Sequence, residues 1–170
     1  MRIAFGADDE NEATRAVLEY LSGLGEVVRV AGDEQWPRIG AEVGQAVAGG
    51  GADFGVVMCW TGTGTAIAAN KIPGVRAALA WEPWIATGAR LWNDANVLAL
   101  SLKRLAPDVA VEVARAFFET PQPDPDEAEN IARISELEPL GAQESWTSRQ
   151  PVPESAERKA DSTGAAPRLR

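Results

Sequence analysis

The chain's single cysteine, Cys59, closes the apolar run Val56-Val57-Met58 and is followed at once by Trp60-Thr61-Gly62-Thr63-Gly64-Thr65. This reads as a buried strand that delivers one thiol to a glycine-rich turn, with a helix opening directly after it. Backbone amides at the start of a helix favour the thiolate over the thiol, so Cys59 is a candidate proton acceptor. The same amides can hold the oxyanion made when a carbon beside a carbonyl loses its proton. Base and oxyanion hole would then share one turn. Without that context, a cysteine ending a buried strand is usually a small apolar core residue; the Gly-Thr turn around it shifts the reading towards chemistry.

Something must hold that turn at the edge of a sheet. Short apolar strands alternate with helical patterns along the chain, the signature of a parallel sheet covered on both faces. Arg2 to Gly6 reads as the first strand. Asn11 to Gly25 reads as a helix, with Ala13, Val17, Leu18, Leu21 and Leu24 at helical spacing, Asn11 as cap and Gly25 as stop. Extended structure resumes from Glu26 to Ala31, and a second helix runs from about Pro37 to Gly49. A third strand covers Asp53 to Cys59, and Gly62 to Asn70 forms the short helix behind the thiol. The unit then repeats: strand from Val75 to Ala80, helix from Pro83 to Leu91, strand from Ala95 to Ser101, and helix from Pro107 to Phe118 with proline at a tolerated first position. Beyond the proline-rich link at 121–125, a last helix from Asp126 to Leu137 carries Ile131, Ile134 and Leu137 on one face, which predicts packing outside the sheet, against a partner subunit. Residues 139–170 are rich in Pro, Ser, Ala, Glu and Arg without an apolar period and read as a disordered tail after a domain spanning 1–138.

Composition narrows the chemistry. At 170 residues and 45% hydrophobic content, the expectation is one domain with one good core. The chain has no histidine, which removes the usual general base near neutral pH and the commonest nitrogen ligand for metals. A zinc or Ser-His-Asp centre is not expected. A formal charge of -9 argues against a nucleic-acid partner or an anionic membrane. The lone cysteine leaves no intramolecular disulfide, and without a signal-like or membrane-length apolar run the expected compartment is the cytoplasm.

Four motifs occur in order: Ile3-Ala4-Phe5-Gly6-Ala7-Asp8, Cys59-x-Thr61-Gly62-x-Gly64, Ala68-Ala69-Asn70-Lys71-Ile72-Pro73-Gly74-Val75-Arg76-Ala77-Ala78, and Asn93-Asp94-Ala95-Asn96-Val97-Leu98. Together they resemble the ribose-5-phosphate isomerase B and galactose-6-phosphate isomerase subunit family, over about residues 1–138. The resemblance implies an α/β, flavodoxin-like three-layer fold of five parallel strands, a homodimer with active sites shared between subunits, and no metal or organic cofactor. It also implies an aldose-ketose isomerase, acting on a small-molecule sugar or sugar phosphate by moving a proton between C1 and C2 through an enediolate. Cys59 falls on the base position of one branch, Asp8 on an acidic residue of the first strand's loop, and Thr61 on a residue near the ring oxygen or enediolate. Gly62 and Gly64 match the amide hole and Asn93 a sugar contact, while Lys103 and Arg133 match cationic positions used for phosphate.

The chain departs from the family pattern at informative places. Asp9 stands where a histidine usually follows Asp8, and Trp92 where a histidine usually precedes Asn93. Indole has only a donor N–H and cannot shuttle a proton. Glu129 replaces an arginine, Trp60 a glycine and Trp36 a tyrosine. The pocket is expected to be less cationic and more aromatic, with Trp81, Trp84 and Trp92 as a candidate sugar-stacking wall, and to prefer less anionic sugars. A catalytically altered paralogue, binding a sugar derivative or serving as one subunit of a hetero-oligomeric isomerase, is the alternative that the missing histidines raise.

Overall fold

The computed structural model describes residues 1–30 and 35–138. Its elements in chain order are β1 (Arg2–Ala7), α1 (Glu12–Leu24), β2 (Glu26–Arg29), α2 (Trp36–Ala48), β3 (Phe54–Cys59), α3 (Thr63–Ala69), β4 (Ala77–Leu79), α4 (Pro83–Asn93), β5 (Val97–Ser101), α5 (Pro107–Phe118) and, after a 3-10 turn at Pro125–Glu127, α6 (Ala128–Glu136). Every strand and helix predicted from the sequence is present. The predicted end of the second strand at Ala31 and the tail at 139–170 lie outside the described residues.

Local chemistry explains several boundaries. Asn11 caps α1: its side-chain oxygen accepts from the Thr14 amide at 3.0 Å, and the Thr14 hydroxyl oxygen in turn accepts from the Asn11 amide. The Asn11 side-chain nitrogen also donates to the Leu102 carbonyl at 3.1 Å, fastening the start of α1 to the loop after β5. Pro83 and Pro107 begin α4 and α5, where a missing N–H costs nothing.

All five strands are parallel, in the order β2-β1-β3-β5-β4. The chain steps from β1 out to β2, crosses back to β3, jumps to β4 at the far edge, and returns to lay β5 between β3 and β4. Right-handed crossovers travelling in opposite directions put their helices on opposite faces. Accordingly α1, α4 and α5 cover one face, over Ile3, Phe5, Val56, Met58, Leu98 and Leu100, and α2 and α3 the other, over Ala4, Val57, Val97 and Ala99. The three layers and the all-parallel sheet are as predicted. The order of the last two strands differs from the flavodoxin order 2-1-3-4-5. The reason is visible in their burial: all five residues of β5 are buried, whereas β4 is three half-buried residues suited to an edge.

Two packing features fix the helices against the two faces of the sheet. The helices α2 and α3 touch backbone to backbone at Gly40, where a Cβ would stand 2.5 Å from the Thr65 carbonyl oxygen and 2.8 Å from the Ala68 methyl. On the other side of the sheet, the amino end of β5 is locked by charge. Asp94, in a left-handed conformation (φ 45°), accepts from Arg76 and Arg90 at 2.7 Å each. The buried Arg90 guanidinium also donates to the carbonyls of Ala95, Thr120 and Pro121 and lies over the rings of Phe54 and Phe117. Four donors are thereby satisfied, which is what makes a buried arginine tolerable. The last helix, α6, buries no residue fully, as the sequence predicts for an element outside the sheet.

Candidate active site

Cys59 is the last residue of β3 and is 4% exposed. Among the described residues it forms no disulfide. Instead its sulfur lies 3.4 Å from the Thr65 hydroxyl, which is also 3.2 Å from the Gly62 carbonyl oxygen. The Cys59 carbonyl accepts from Gly62 N–H at 3.1 Å and Leu102 N–H at 2.9 Å, so the turn after β3 is tied both to itself and to the loop after β5. Gly62 has φ 78°, a conformation that side chains resist, and turns the chain into α3. The amides of Thr63, Gly64 and Thr65 open that helix and have no carbonyl one turn earlier within it. The ring of Trp36 packs on Gly64, where a Cβ would stand 2.8 Å from it. Thr61 and Thr63 share a hydrogen bond of 2.6 Å between hydroxyls.

Asp8 follows β1, whose neighbour is β3. Its amide donates to the Met58 carbonyl at 3.2 Å, and the register Ala7 to Met58, carried one residue on, sets Asp8 opposite Cys59. Adjacent strands run about 4.8 Å apart, so the backbones of Asp8 and Cys59 are neighbours at the point where the strand order reverses. Partial burial, and after it the Asp9 carboxylate, push the Asp8 carboxyl above the ordinary aspartate range, against its own backbone hydrogen bond. Glu10, next in the acidic loop, is held below the ordinary range by a hydrogen bond from Arg29 and that residue's charge. Lys103, on the loop after β5, places its ammonium 5.1 Å from the centre of the Trp60 ring.

The remaining predicted residues sit elsewhere. Asn93 ends α4, at the amino edge of the sheet, while Cys59 pairs with Ser101 at the carboxyl end of β5. The length of β5 alone separates the two edges by about 13 Å. Arg133 lies on α6, paired with Glu129, and its neighbour Ile134 lines a cavity of about 290 Å³ together with Asn93, Asn70 and Arg76. Trp92 folds back over Gly88 to meet Trp84 edge to face at 5.6 Å. Trp81 instead borders a cavity of about 370 Å³ near Thr61, Ser101 and Arg104. One chain therefore assembles Asp8, Cys59, Thr61, Gly62, Gly64 and Lys103 at the carboxyl edge, with Asn93 and Arg133 away from them.

Thr65 and Ser101 were not singled out in the sequence. Ser101 donates to the Trp60 carbonyl at 2.9 Å and accepts from the Arg104 amide at 3.1 Å. The signal for it is slight: a hydroxyl closing the otherwise apolar strand Val97-Leu98-Ala99-Leu100. Among the described residues no group of three or more acidic, cysteine or histidine side chains is placed to hold a metal ion, and no helix is long and apolar enough to cross a membrane.

Fold and site together define a three-layer α/β protein with a thiol-bearing glycine turn at the carboxyl edge of a five-stranded parallel sheet. The chain belongs to the ribose/galactose isomerase family, whose model matches residues 3–137. It is 36% identical over 128 residues to a DNA damage-repair/toleration protein of Arabidopsis thaliana, covering 74% of this chain and 41% of that one. To ribose-5-phosphate isomerase B of Escherichia coli it is 40% identical over 83 residues, 49% of this chain and 56% of that enzyme. The chain thus spans only about half the length of these two relatives. The structure of Clostridium thermocellum ribose-5-phosphate isomerase B superimposes with a TM-score of 0.73 at 32% identity, covering 81% of this chain and 97% of the other.

Proposed function

We propose that this protein is an aldose-ketose isomerase of sugars or sugar phosphates, with Cys59 as its base. The observation that carries the reading is the Cys59 sulfur, buried at the end of β3 directly before the glycine turn and hydrogen-bonded by Thr65, on the strand next to the one that Asp8 follows. In the open-chain aldose the thiolate takes the proton from C2. The C–H electron pair forms the C1=C2 bond, and the carbonyl pair moves onto O1, where the turn's amides stabilise it. The O2 hydroxyl proton passes to O1, the thiol returns its proton to C1, and C2=O is the ketose carbonyl. Asp8, which keeps its proton to higher pH than an ordinary aspartate, suits the exchange of hydroxyl protons during this transfer.

The working unit in this reading is a homodimer. Asn93, Trp92 and Arg133 lie too far from Cys59 of their own chain, so a second copy supplies them. The exposed apolar surface of Trp84 (64%), Trp92 (41%) and Leu137 (83%) supports such a partner. Solvent deuterium incorporation at C2 across a panel of open-chain and cyclic sugars tests the proposal. Cys59→Ala and Asn93→Ala are each expected to lose exchange, and mixing the two proteins is expected to restore part of it, because one hybrid site then holds both native residues. Undiminished exchange in Cys59→Ala removes the base; no recovery on mixing removes the shared site. Trp92, an indole that cannot carry a proton, favours the alternative of a sugar-binding subunit, and tight binding of a sugar with no exchange would move the assignment there.

A further inference from the structure

Resting on the isomerase reading, we propose that Thr65 is a positioning residue for the base, its hydroxyl turning between the Cys59 sulfur and the Gly62 carbonyl as the thiol loses and regains its proton. Thr65 is the third residue of α3 and is fully buried. Gly62, at φ 78°, folds the chain back so that a residue six places beyond the thiol meets it again. The Thr65 hydroxyl oxygen lies 3.4 Å from the sulfur and 3.2 Å from the Gly62 carbonyl oxygen. Two acceptors thus stand within reach of a group with a single proton to give. The contact with Gly62 is ordinary, since a helical threonine often bonds the carbonyl three residues back. The contact with sulfur is not, and among the described residues no other side chain is hydrogen-bonded to that sulfur.

Burial keeps water from the hydroxyl, so the charge on the two acceptors decides between them. A neutral thiol is only a weak acceptor, and beside it the hydroxyl donates to the Gly62 carbonyl. A thiolate is the stronger acceptor, because a hydrogen bond to a charged atom outweighs one to a neutral carbonyl. The hydroxyl then swings to sulfur. The carbonyl it leaves is not orphaned, because it also accepts from the Ala66 amide at 3.3 Å. Rotation therefore breaks no other bond and moves no backbone. During turnover the hydroxyl points at the thiolate before Cys59 takes the C2 proton and turns to the carbonyl once sulfur holds it. It swings back as that proton goes to C1. A single buried rotor thus holds the sulfur in place and favours its ionised form in a chain without histidine.

Cys59 is the chain's one thiol, so the S–H stretching band in the Raman spectrum of the full chain belongs to it alone. Loss of that band with rising pH reports the thiolate without a label or a substrate. Thr65→Val keeps the shape, removes the hydroxyl and is expected to hold the band to higher pH than wild type. Thr65→Ala is expected to do the same, and Thr65→Ser, which restores a hydroxyl, to return the wild-type profile. The ionisable groups on the surrounding elements are Asp8, Asp9 and Glu10 after β1, Lys103 and Arg104 after β5, and the Arg38–Glu42 pair on α2. They are the same in all four proteins and cancel from the comparison. Deuterium exchange into a sugar at neutral pH is expected to slow about tenfold in Thr65→Val, the loss of one hydrogen bond to a charged atom, and to recover in Thr65→Ser. Urea unfolding checks that each variant is folded. A band profile unchanged in Thr65→Val and Thr65→Ala, or moved equally by Thr65→Ser, leaves a hydroxyl that only braces the helix and overturns the proposal. The isomerase reading fails differently: exchange undiminished in Cys59→Ala removes the base, while a band that still shifts in Thr65→Val supports the bond from hydroxyl to thiolate.

Discussion

Replacing Gly62 by alanine tests whether the turn behind Cys59 is held by backbone conformation and close approach together. At φ 78° and ψ -21° the residue lies in the left-handed region, where an L side chain costs roughly 1–2 kcal/mol. A Cβ there would stand 2.5 Å from the Leu79 side chain, 3.0 Å from the Leu100 carbonyl carbon and 3.1 Å from its oxygen. Leu79 has room to swing at the sheet edge, but Leu100 belongs to β5 in the middle of the sheet and cannot retreat. Overpacking of that kind costs about 1–3 kcal/mol, so the sum is about 2–5 kcal/mol. Gly50 is the matched control: φ is 72° and nothing lies within 4 Å of its added Cβ, leaving only the conformational part. At about 3 °C per kcal/mol for a chain of this size, Gly62→Ala is expected to lower Tm by about 6–15 °C and Gly50→Ala by about 3–6 °C. Thermal and urea unfolding read both, and deuterium exchange into a sugar reads the turn separately, since a rotated Gly62 peptide moves the turn that follows Cys59. Equal losses at the two glycines would refute the steric part of the argument. An exchange rate in folded Gly62→Ala equal to wild type would refute the link from turn to chemistry.

Asp94→Ala is expected to cost about 3 kcal/mol in urea unfolding, the low end for breaking a buried ion pair, because Arg90 keeps three carbonyl acceptors. Asp94→Asn, which tolerates the left-handed conformation and loses only charge, is expected to cost less. For pH, Asp8 binds its proton more tightly in the folded chain than in the unfolded one, so its contribution to stability falls as pH rises from the ordinary aspartate range through its raised value, then levels. Asp8→Asn should remove that slope and leave the protein at neutral pH within about 0.5 kcal/mol of wild type. Glu10 has the opposite sign: its ion pair with Arg29 stabilises the fold above the ordinary glutamate range and is lost as pH falls through the lowered value. Glu10→Gln should therefore flatten the acid limb of a stability-pH curve, and a limb as steep as wild type would contradict the assignment.

Much of the architecture is legible in the sequence because it is made by neighbours. Asn11 announces α1 because its side chain needs only the amide three residues on, and Pro107 announces α5 because a fixed φ with no N–H is at home only in a first turn. Cys59 and Gly62 are likewise a local statement, a thiol at a strand's end and a residue free to take positive φ. Other motif residues turn out to serve the scaffold. Asn70 brackets Ala77 through both its side-chain amide groups, at 2.7 and 2.8 Å, and fixes the start of β4. Asn96 likewise holds the Arg76 amide and the Gly74 carbonyl. A motif records that a residue matters without recording whether it faces a substrate or a neighbouring loop.

The sequence alone determined the element types, their order, the parallel sheet and the position of the thiol in its turn, since strand and helix periodicity, caps and glycine conformation depend on residues a few places apart. Only the tertiary structure decided that β5 lies inside β4 and that Asn93 and Cys59 occupy opposite edges. It also set Lys103 against an indole while its neighbour Arg104 opens on a cavity. Those outcomes depend on residues tens of positions apart meeting across the sheet: which strand has enough buried side chains to take the centre, and which distant carbonyl or hydroxyl pins a loop. That competition is settled when the core closes, and no local window of the chain contains both sides of it.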